Sequence, residues 1–254
     1  MIIACLCSTF RRPRQLGHAI SMFQRQTHPD KRLIVLDDSG YEQTVSGSKE
    51  DGYYILRYKS RFSSLGKKRN ACVRIAVDLF PEIQAVCPLD DDDLFFPHHL
   101  EITNAALENA DWSLPSEVLY RTAENSFKRH LTGPGKFFHS AHGYRLRAFL
   151  QSGGYPDNLS GNEDAALFRR MEAINASICD PIALTGKPPS YCYGTGDGLQ
   201  HISAYLATSD PEGRNAYAKI GEQSCEPAEL VIEPPPGIDF ENPVILPGVY
   251  PRPF

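Results

Sequence analysis

The densest group of residues able to do chemistry lies in AVCPLDDDDLFFP, residues 85 to 97, where Asp90, Asp91, Asp92 and Asp93 follow an apolar run and lead straight into Leu94, Phe95 and Phe96. Neighbouring carboxylates repel, and a carboxylate against an apolar wall costs several kcal/mol unless a positive group pairs with it. The run therefore needs a cation nearby, the plain alternative being a solvated acidic turn. Oxygen-only ligands suit a hard divalent ion such as Mg2+ or Mn2+, which many enzymes share with substrate phosphates. The spacing excludes a calcium-binding helix-loop-helix: counting from Asp90, Leu94 takes the fifth place and Phe95 the place that requires glycine.

Positive charge lies upstream. Arg57, Lys59, Arg61, Lys67, Lys68, Arg69 and Arg74 fall in a stretch with no acid between Gly52 and Val77. Part of it, Lys67 and Arg69 in particular, could neutralise a diphosphate beside a metal held by Asp92, or the run could be a solvated helix face. Asp37 and Asp38 close the run LIVLDD and could bind a ligand or simply make a turn. Glu163 and Asp164 sit in the first turn of a helical stretch, where acids complement the helix dipole.

These residues need elements to hold them. IIACLCS (2 to 8), RLIVLDD (32 to 38), YYILRYK (53 to 59) and IQAVCPL (83 to 89) read as strands, and PRQLGHAISMFQRQ (13 to 26) and LGKKRNACVRIAVDLF (65 to 80) as helices between them. Near-continuous apolar strands alternating with helices predict a parallel sheet covered on both faces. Ligands gather at the carboxyl ends of such strands, where Thr9, Asp37, Asp38 and Asp90 to Asp93 fall. Residues 136 to 174 read as strand, helix, Gly-rich turn and a helix beginning near Asn162. The chain divides into a main domain over 1–205 and an extension over 206–254 that is Pro-rich from 226.

The composition narrows the classes. With 254 residues and 41% hydrophobic content the chain can build a substantial core. A net charge of -5 gives no general reason to bind nucleic acid. No apolar stretch nears the length of about 18 residues that spans a bilayer, and the N-terminal apolar run is too short for a signal peptide, so a cytoplasmic protein is expected, peripheral action at a membrane aside. Cysteines 5, 7, 72, 87, 179, 192 and 225 form no CxxC pair and suit reduced, buried thiols.

STFRRP (8 to 13), LIVLDDSG (33 to 40), KKRNACVRIA (67 to 76), PLDDDDLFFPHHL (88 to 100) and HGYRLRAFLQSGGYPDNLSGNEDAALFRRM (142 to 171) resemble, in order and spacing, the nucleotide-sugar-dependent glycosyltransferases of family 2. The resemblance covers about residues 1 to 205. It implies a GT-A fold, a Rossmann-like, mixed but mostly parallel sheet flanked by helices, with a nucleotide half (1–100) and an acceptor half (101–205). It places Thr9 and Asp37 on the nucleotide base, Phe10 where a Tyr often stacks on that base, with Arg12 beside it, and Asp38 with them. Asp90, Asp91 and Asp92 match the DxD motif. Asp92 would hold the metal, Mn2+ or Mg2+, and Asp90 or Asp91 would face the ribose or the sugar; Asp93 extends the motif or caps the next turn. Asp164 would be the catalytic base and Glu163 would hold a hydroxyl. His201 falls where a C-terminal His sometimes covers the diphosphate or joins the metal, though a His in a polar loop is often just exposed. His139 and His142 could line the acceptor site, and Trp112 could stack on a sugar or simply pack.

The expected activity is metal-dependent, inverting transfer of a sugar from a nucleoside-diphosphate sugar, UDP-sugar first, to a glycan or other hydroxyl acceptor. One rival is a nucleotidyltransferase making the activated sugar, although STFRRPRQLG lacks the glycines of its phosphate loop. The other is a non-catalytic nucleotide- or sugar-binding module.

Overall fold

A computed structural model describes residues 1–121, 127–132 and 138–193. His201 and the 206–254 extension lie outside the described residues. The elements in order are β1 (Ile3–Thr9), α1 (Pro13–Gln24), β2 (Lys31–Asp37), β3 (Thr44–Ser48), β4 (Tyr53–Arg57), α2 (Leu65–Leu79), β5 (Ala85–Pro88), β6 (Leu94–Phe95), α3 (His99–Asn109), β7 (Trp112–Ser113), β8 (Glu117–Arg121), β9 (Phe127–Leu131), β10 (Gly143–Arg145), α4 (Leu146–Gln151), α5 (Glu163–Ala173), β11 (Ile178–Cys179), α6 (Pro181–Thr185) and β12 (Tyr191–Tyr193).

The larger sheet runs β11-β7-β10-β5-β1-β2-β4-β3, and a smaller one runs β6-β12-β8-β9. The centre of the larger sheet is parallel: β1 pairs with β2 and β5, and β2 with β4. Antiparallel pairing of β3 to β4 and of β10 to β5 makes the sheet mixed. The chain winds outward from β1 to β2 and β4, then returns to place β5 on the other side of β1. At such a reversal, here at the carboxyl ends of β1 and β5, open α/β sheets form their ligand crevice.

Both faces of the parallel centre are covered, which is why its strands are apolar throughout. Ile3, Cys5, Cys7, Leu33 and Val35 face α1, whose Leu16, Ala19, Ile20 and Phe23 join them in one core. Ala4, Leu6, Ile34 and Leu36 point the opposite way, onto Ala71, Cys72 and Ala76 of α2 in a second core. Each large aliphatic or aromatic side chain so buried contributes about 1.5–3 kcal/mol. The second core also takes Trp112, which is 1% exposed and stacks on Phe168 at 5.3 Å and Tyr144 at 6.0 Å, so its role is packing.

The expected strands and helices of the first 90 residues form with ends shifted by at most two residues, and β3 is an addition. Its TVSGS sequence is short, polar and mostly exposed at the sheet edge, so it carries no apolar alternation to read. Among the described residues no helix is long and apolar enough to cross a membrane.

Candidate active site

The crevice between β1 and β5 is lined by side chains from three strand ends. Thr9 ends β1 opposite Asp37 of β2, and its hydroxyl donates to Asp91 Oδ2 at 2.6 Å across the reversal point. Arg11 then adopts a left-handed φ of 55°. That bend precedes α1, which has Pro13 at its start. Arg12 thereby reaches back, one of its terminal nitrogens lying 2.9 Å from Asp91 Oδ1 and 2.8 Å from Asp92 Oδ2. Burial and the neighbouring Asp92 charge push the Asp91 carboxyl up to about 6 against the opposing pull of Arg12 and Thr9. Burial disfavours the charge on Arg12, yet Asp91 and Asp92 outweigh it and raise the guanidinium's pKa.

The end of β2 carries a second group. Asp38 Oδ1 meets Lys68 Nζ at 2.6 Å, its Oδ2 accepts from the Phe62 N–H at 2.9 Å, and Lys68 also donates to the Thr9 carbonyl at 2.5 Å. Lys68 and Asp38 are both buried. Asp37 Oδ1 accepts from the Ser39 N–H at 3.1 Å and from its hydroxyl, while Arg57 lies 4.0 Å from Oδ2. Phe10, half-buried beside them, has the Arg61 guanidinium 4.2 Å and that of Arg11 5.2 Å from its ring centre.

The third group crosses to the far side of the crevice. Arg69 meets Asp90 Oδ2 at 3.1 Å and Glu163 Oε1 at 2.8 Å. Asp90 also accepts from the Ser140 hydroxyl at 2.7 Å, and His139 Nδ1 stands 3.9 Å away. Burial alone would raise the Asp90 carboxyl, but Arg69 foremost, with His139 and Ser140, holds it far below the usual carboxylate range. His139 Nε2 shares a hydrogen bond of 2.6 Å with the Tyr155 hydroxyl, and Arg69 stacks over the Tyr155 ring at 5.6 Å.

Local backbone sets these positions. Ser64 caps α2 by accepting from the Lys67 N–H at 3.1 Å. Gly66 lets the first turn of α2 touch the loop before α5: its N–H donates to the Leu159 carbonyl at 2.9 Å, and a Cβ there would lie 2.0 Å from the Pro156 carbonyl oxygen. Asn162, in left-handed backbone at φ 58°, starts α5, so Glu163 turns inward and is buried while Asp164 stays half-exposed. Asp164 Oδ1 accepts from the Ala165 N–H at 2.7 Å.

Thr9, Arg12, Asp37, Asp38, Arg69, Asp90, Asp91, Asp92 and Glu163 thus come together with Asp164 beside them, and Phe10 flanks the group. Lys67 is exposed, and Lys68, the next residue of the same run, points inward instead. Asp93 is buried on the Tyr191 hydroxyl at 2.7 Å, tying the loop to β12. His142 is fully buried and packs against Trp112 and Phe168. Lys68, Ser140, His139 and Tyr155 were not singled out from sequence as parts of the carboxylate network. Lys68 left a signal only as one cation among several, and His139 only as a possible acceptor-site residue.

Among the described residues no three His, Cys, Asp or Glu side chains converge as an all-protein metal cage. Asp91 and Asp92 instead stand close enough for a single guanidinium nitrogen to touch both. That pair fits a hard divalent ion whose other ligands are phosphate and water oxygens.

No known protein-family profile matches the chain, and neither does any curated protein sequence. Solved structures do. S. aureus TarS 1-349 in complex with UDP-GlcNAc is 16% identical, with 88% of this chain and 67% of that one covered at a TM-score of 0.60. The same TarS fragment in another crystal structure gives 15%, 88%, 66% and 0.57. The mannosyltransferase PcManGT from Pyrobaculum calidifontis in complex with GDP-Man and Mn2+ is 12% identical, with 87% and 69% covered at 0.53. The chain spans about two thirds of the TarS fragment and 43% of a longer TarS chain. The likeness shows the fold: a GT-A-type α/β architecture built on a largely parallel sheet.

Proposed function

We propose that this chain is a metal-dependent, inverting glycosyltransferase that moves a sugar from a nucleoside-diphosphate sugar to an acceptor hydroxyl. The observation that carries this reading is the convergence of Thr9, Arg12, Asp90, Asp91 and Asp92 at the β1–β5 crevice, tied through Arg69 to the Glu163–Asp164 pair. Two neighbours of the same fold were solved with nucleotide sugars, UDP-GlcNAc in one and GDP-Man with Mn2+ in the other. A UDP-sugar is the first donor to test, as the nucleotide sugar of one of these neighbours.

In this reading Asp37 and Thr9 hold the base, with Phe10 against its face, and Asp38 is kept in place by Lys68. Asp92, with Asp91 or Asp90, would hold Mn2+ or Mg2+, which offsets the charge developing on the departing diphosphate. Arg12, released from the carboxylates, and Lys67 would add positive charge for the same phosphates. Asp164 takes the proton of the acceptor hydroxyl as its oxygen bonds to the anomeric carbon. The bond from that carbon to the diphosphate oxygen breaks with its electron pair leaving on the nucleotide. One displacement from the opposite face inverts the centre. A positioned base of this kind contributes a factor on the order of 10²–10⁴. The acceptor is a glycan or another hydroxyl compound, and the net charge disfavours nucleic acid. Residues 1–205 would carry the transferase, with 206–254 as an extension.

The test is release of nucleoside diphosphate from a panel of UDP-, GDP-, CDP- and dTDP-sugars with Mn2+, followed by NMR of the product's anomeric proton. Release that Asp164→Asn abolishes, with inversion in the product, supports the reading. Retention would remove Asp164 as base, and pyrophosphate formed from a nucleoside triphosphate and a sugar phosphate would replace transfer with nucleotidyl transfer.

A further inference from the structure

We infer that Arg69 is a positioning residue that transmits donor occupancy to helix α5, so that a nucleotide and metal at Asp90–Asp92 set the orientation of Glu163 and Asp164. The inference rests on the glycosyl-transfer reading and adds a coupling between its two sides.

The geometry makes one side chain the common partner of both sides. Arg69 bonds Asp90, which follows β5, and Glu163, which opens α5, at 3.1 and 2.8 Å. The two carboxylates come from segments more than seventy residues apart in sequence. A guanidinium presents its donors in a rigid plane, so moving one carboxylate displaces the other. Burial tightens this constraint: the Arg69 and Glu163 side chains are 12% and 5% exposed, and breaking a buried pair leaves an uncompensated charge.

The two ends differ in how firmly they are held. Asp90 has the more exposed side chain, at 23%, and does not depend on Arg69 alone: the Ser140 hydroxyl donates to it at 2.7 Å, and His139 Nδ1, which is buried and makes no hydrogen bond, stands 3.9 Å away. Glu163 makes its ion pair to Arg69 and sits at the very start of α5. That helix start lacks a side-chain cap, since Asn162 makes no capping hydrogen bond. The first turn of α5 is oriented by the Arg69 contact, by the contacts of Gly66 and Leu65 with Leu159 and Ser160 just ahead of it, and by Leu167, buried in the core one turn on. When a ribose or sugar hydroxyl, or a cation, draws on Asp90, the guanidinium is left to Glu163 and pulls the start of α5, and Asp164 with it, toward the crevice. A merely structural ion pair would hold α5 identically with and without nucleotide.

The experiment is hydrogen–deuterium exchange on the full chain with UDP and with GDP, each with and without Mn2+, for the wild type, Arg69→Lys and Glu163→Gln. In the wild type, nucleotide with Mn2+ should slow exchange at least tenfold in the peptide spanning residues 158–174. In both variants that slowing should shrink below twofold, although nucleotide affinity changes less than threefold. Donor KM should likewise change less than threefold while kcat falls at least thirtyfold. Nucleotide binding to the wild type with no change in this peptide overturns the coupling, as does full slowing in either variant, and both leave the transferase reading standing. If the wild type binds no nucleotide, that reading fails and the coupling fails with it. Arg69→Lys keeps the charge and Glu163→Gln keeps the shape, so a folding defect in one leaves the other to decide, and the wild-type comparison needs neither.

Discussion

The two sides of the crevice treat their carboxylates in opposite ways. On the side built from the strand ends, Asp37, Asp38, Asp90, Asp91 and Asp92 each stand within ion-pair distance of Arg57, Lys68, Arg69 or Arg12. At the start of α5 only Glu163 is paired; half-exposed Asp164 has no ion-pair partner among the described residues. Paired carboxylates are held in place until a ligand competes for them, which suits receiving a nucleotide. A carboxylate without a cation, one of whose oxygens accepts only a backbone N–H, keeps the other free to accept a proton. In the proposed reaction, binding and chemistry would be divided by how charge is compensated.

Removing a cation from the balanced side gives the largest effect. Lys68→Met strands the buried Asp38 carboxylate and the Thr9 carbonyl, and chemical denaturation should show a loss of about 3–5 kcal/mol. Asp164→Asn should leave nucleotide binding within twofold and lower kcat at least about a hundredfold, roughly 2.7 kcal/mol in the barrier. A third effect is set by pH. Burial first, then His98, drives the His99 pKa down to about 3, whereas the unfolded side chain titrates near 6.5. Stability from His99 is complete above about pH 6.5 and is lost as pH falls from there toward 3, at about 1.4 kcal/mol per pH unit. His99→Gln should flatten that slope in denaturation curves taken at pH 7 and pH 5. The smallest effect belongs to exposed Lys67: Lys67→Ala should change stability by less than about 0.5 kcal/mol, in contrast to its neighbour Lys68.

The sheet and its ligand edge were legible because their causes are local. β1, β2, β4 and β5 are apolar on both faces, α1 carries its stripe at helical spacing, and the polar residues break those runs where the strands end. The edge strand β3 was not legible, since an exposed strand needs no apolar pattern. Within the site, carboxylates stood out by density, but the inward lysine did not: Lys67 and Lys68 are adjacent, and the Ser64 cap and the Gly66 contact decide which one faces the core. The buried helix stripes show the same limit. Of the apolar face Leu65, Cys72, Ile75, Ala76 and Leu79 of α2, Cys72 and Ala76 are buried and Ile75 and Leu79 pack on the core in part, while the first turn, pinned against residues 156–159, buries Gly66 and Lys68 instead of Leu65. Ser140, His139 and Tyr155 meet Asp90 and Arg69 through long-range packing that no short spacing encodes.

Calorimetric titration of UDP and GDP into the wild type and Asp92→Ala, with and without Mn2+, tests most directly whether the strand-end aspartates form a nucleotide-and-metal site. The account predicts saturable binding of one nucleotide that Mn2+ strengthens at least tenfold, with the Mn2+ effect lost in Asp92→Ala. Absence of nucleotide binding to the wild type, or the same Mn2+ enhancement in Asp92→Ala, would contradict it.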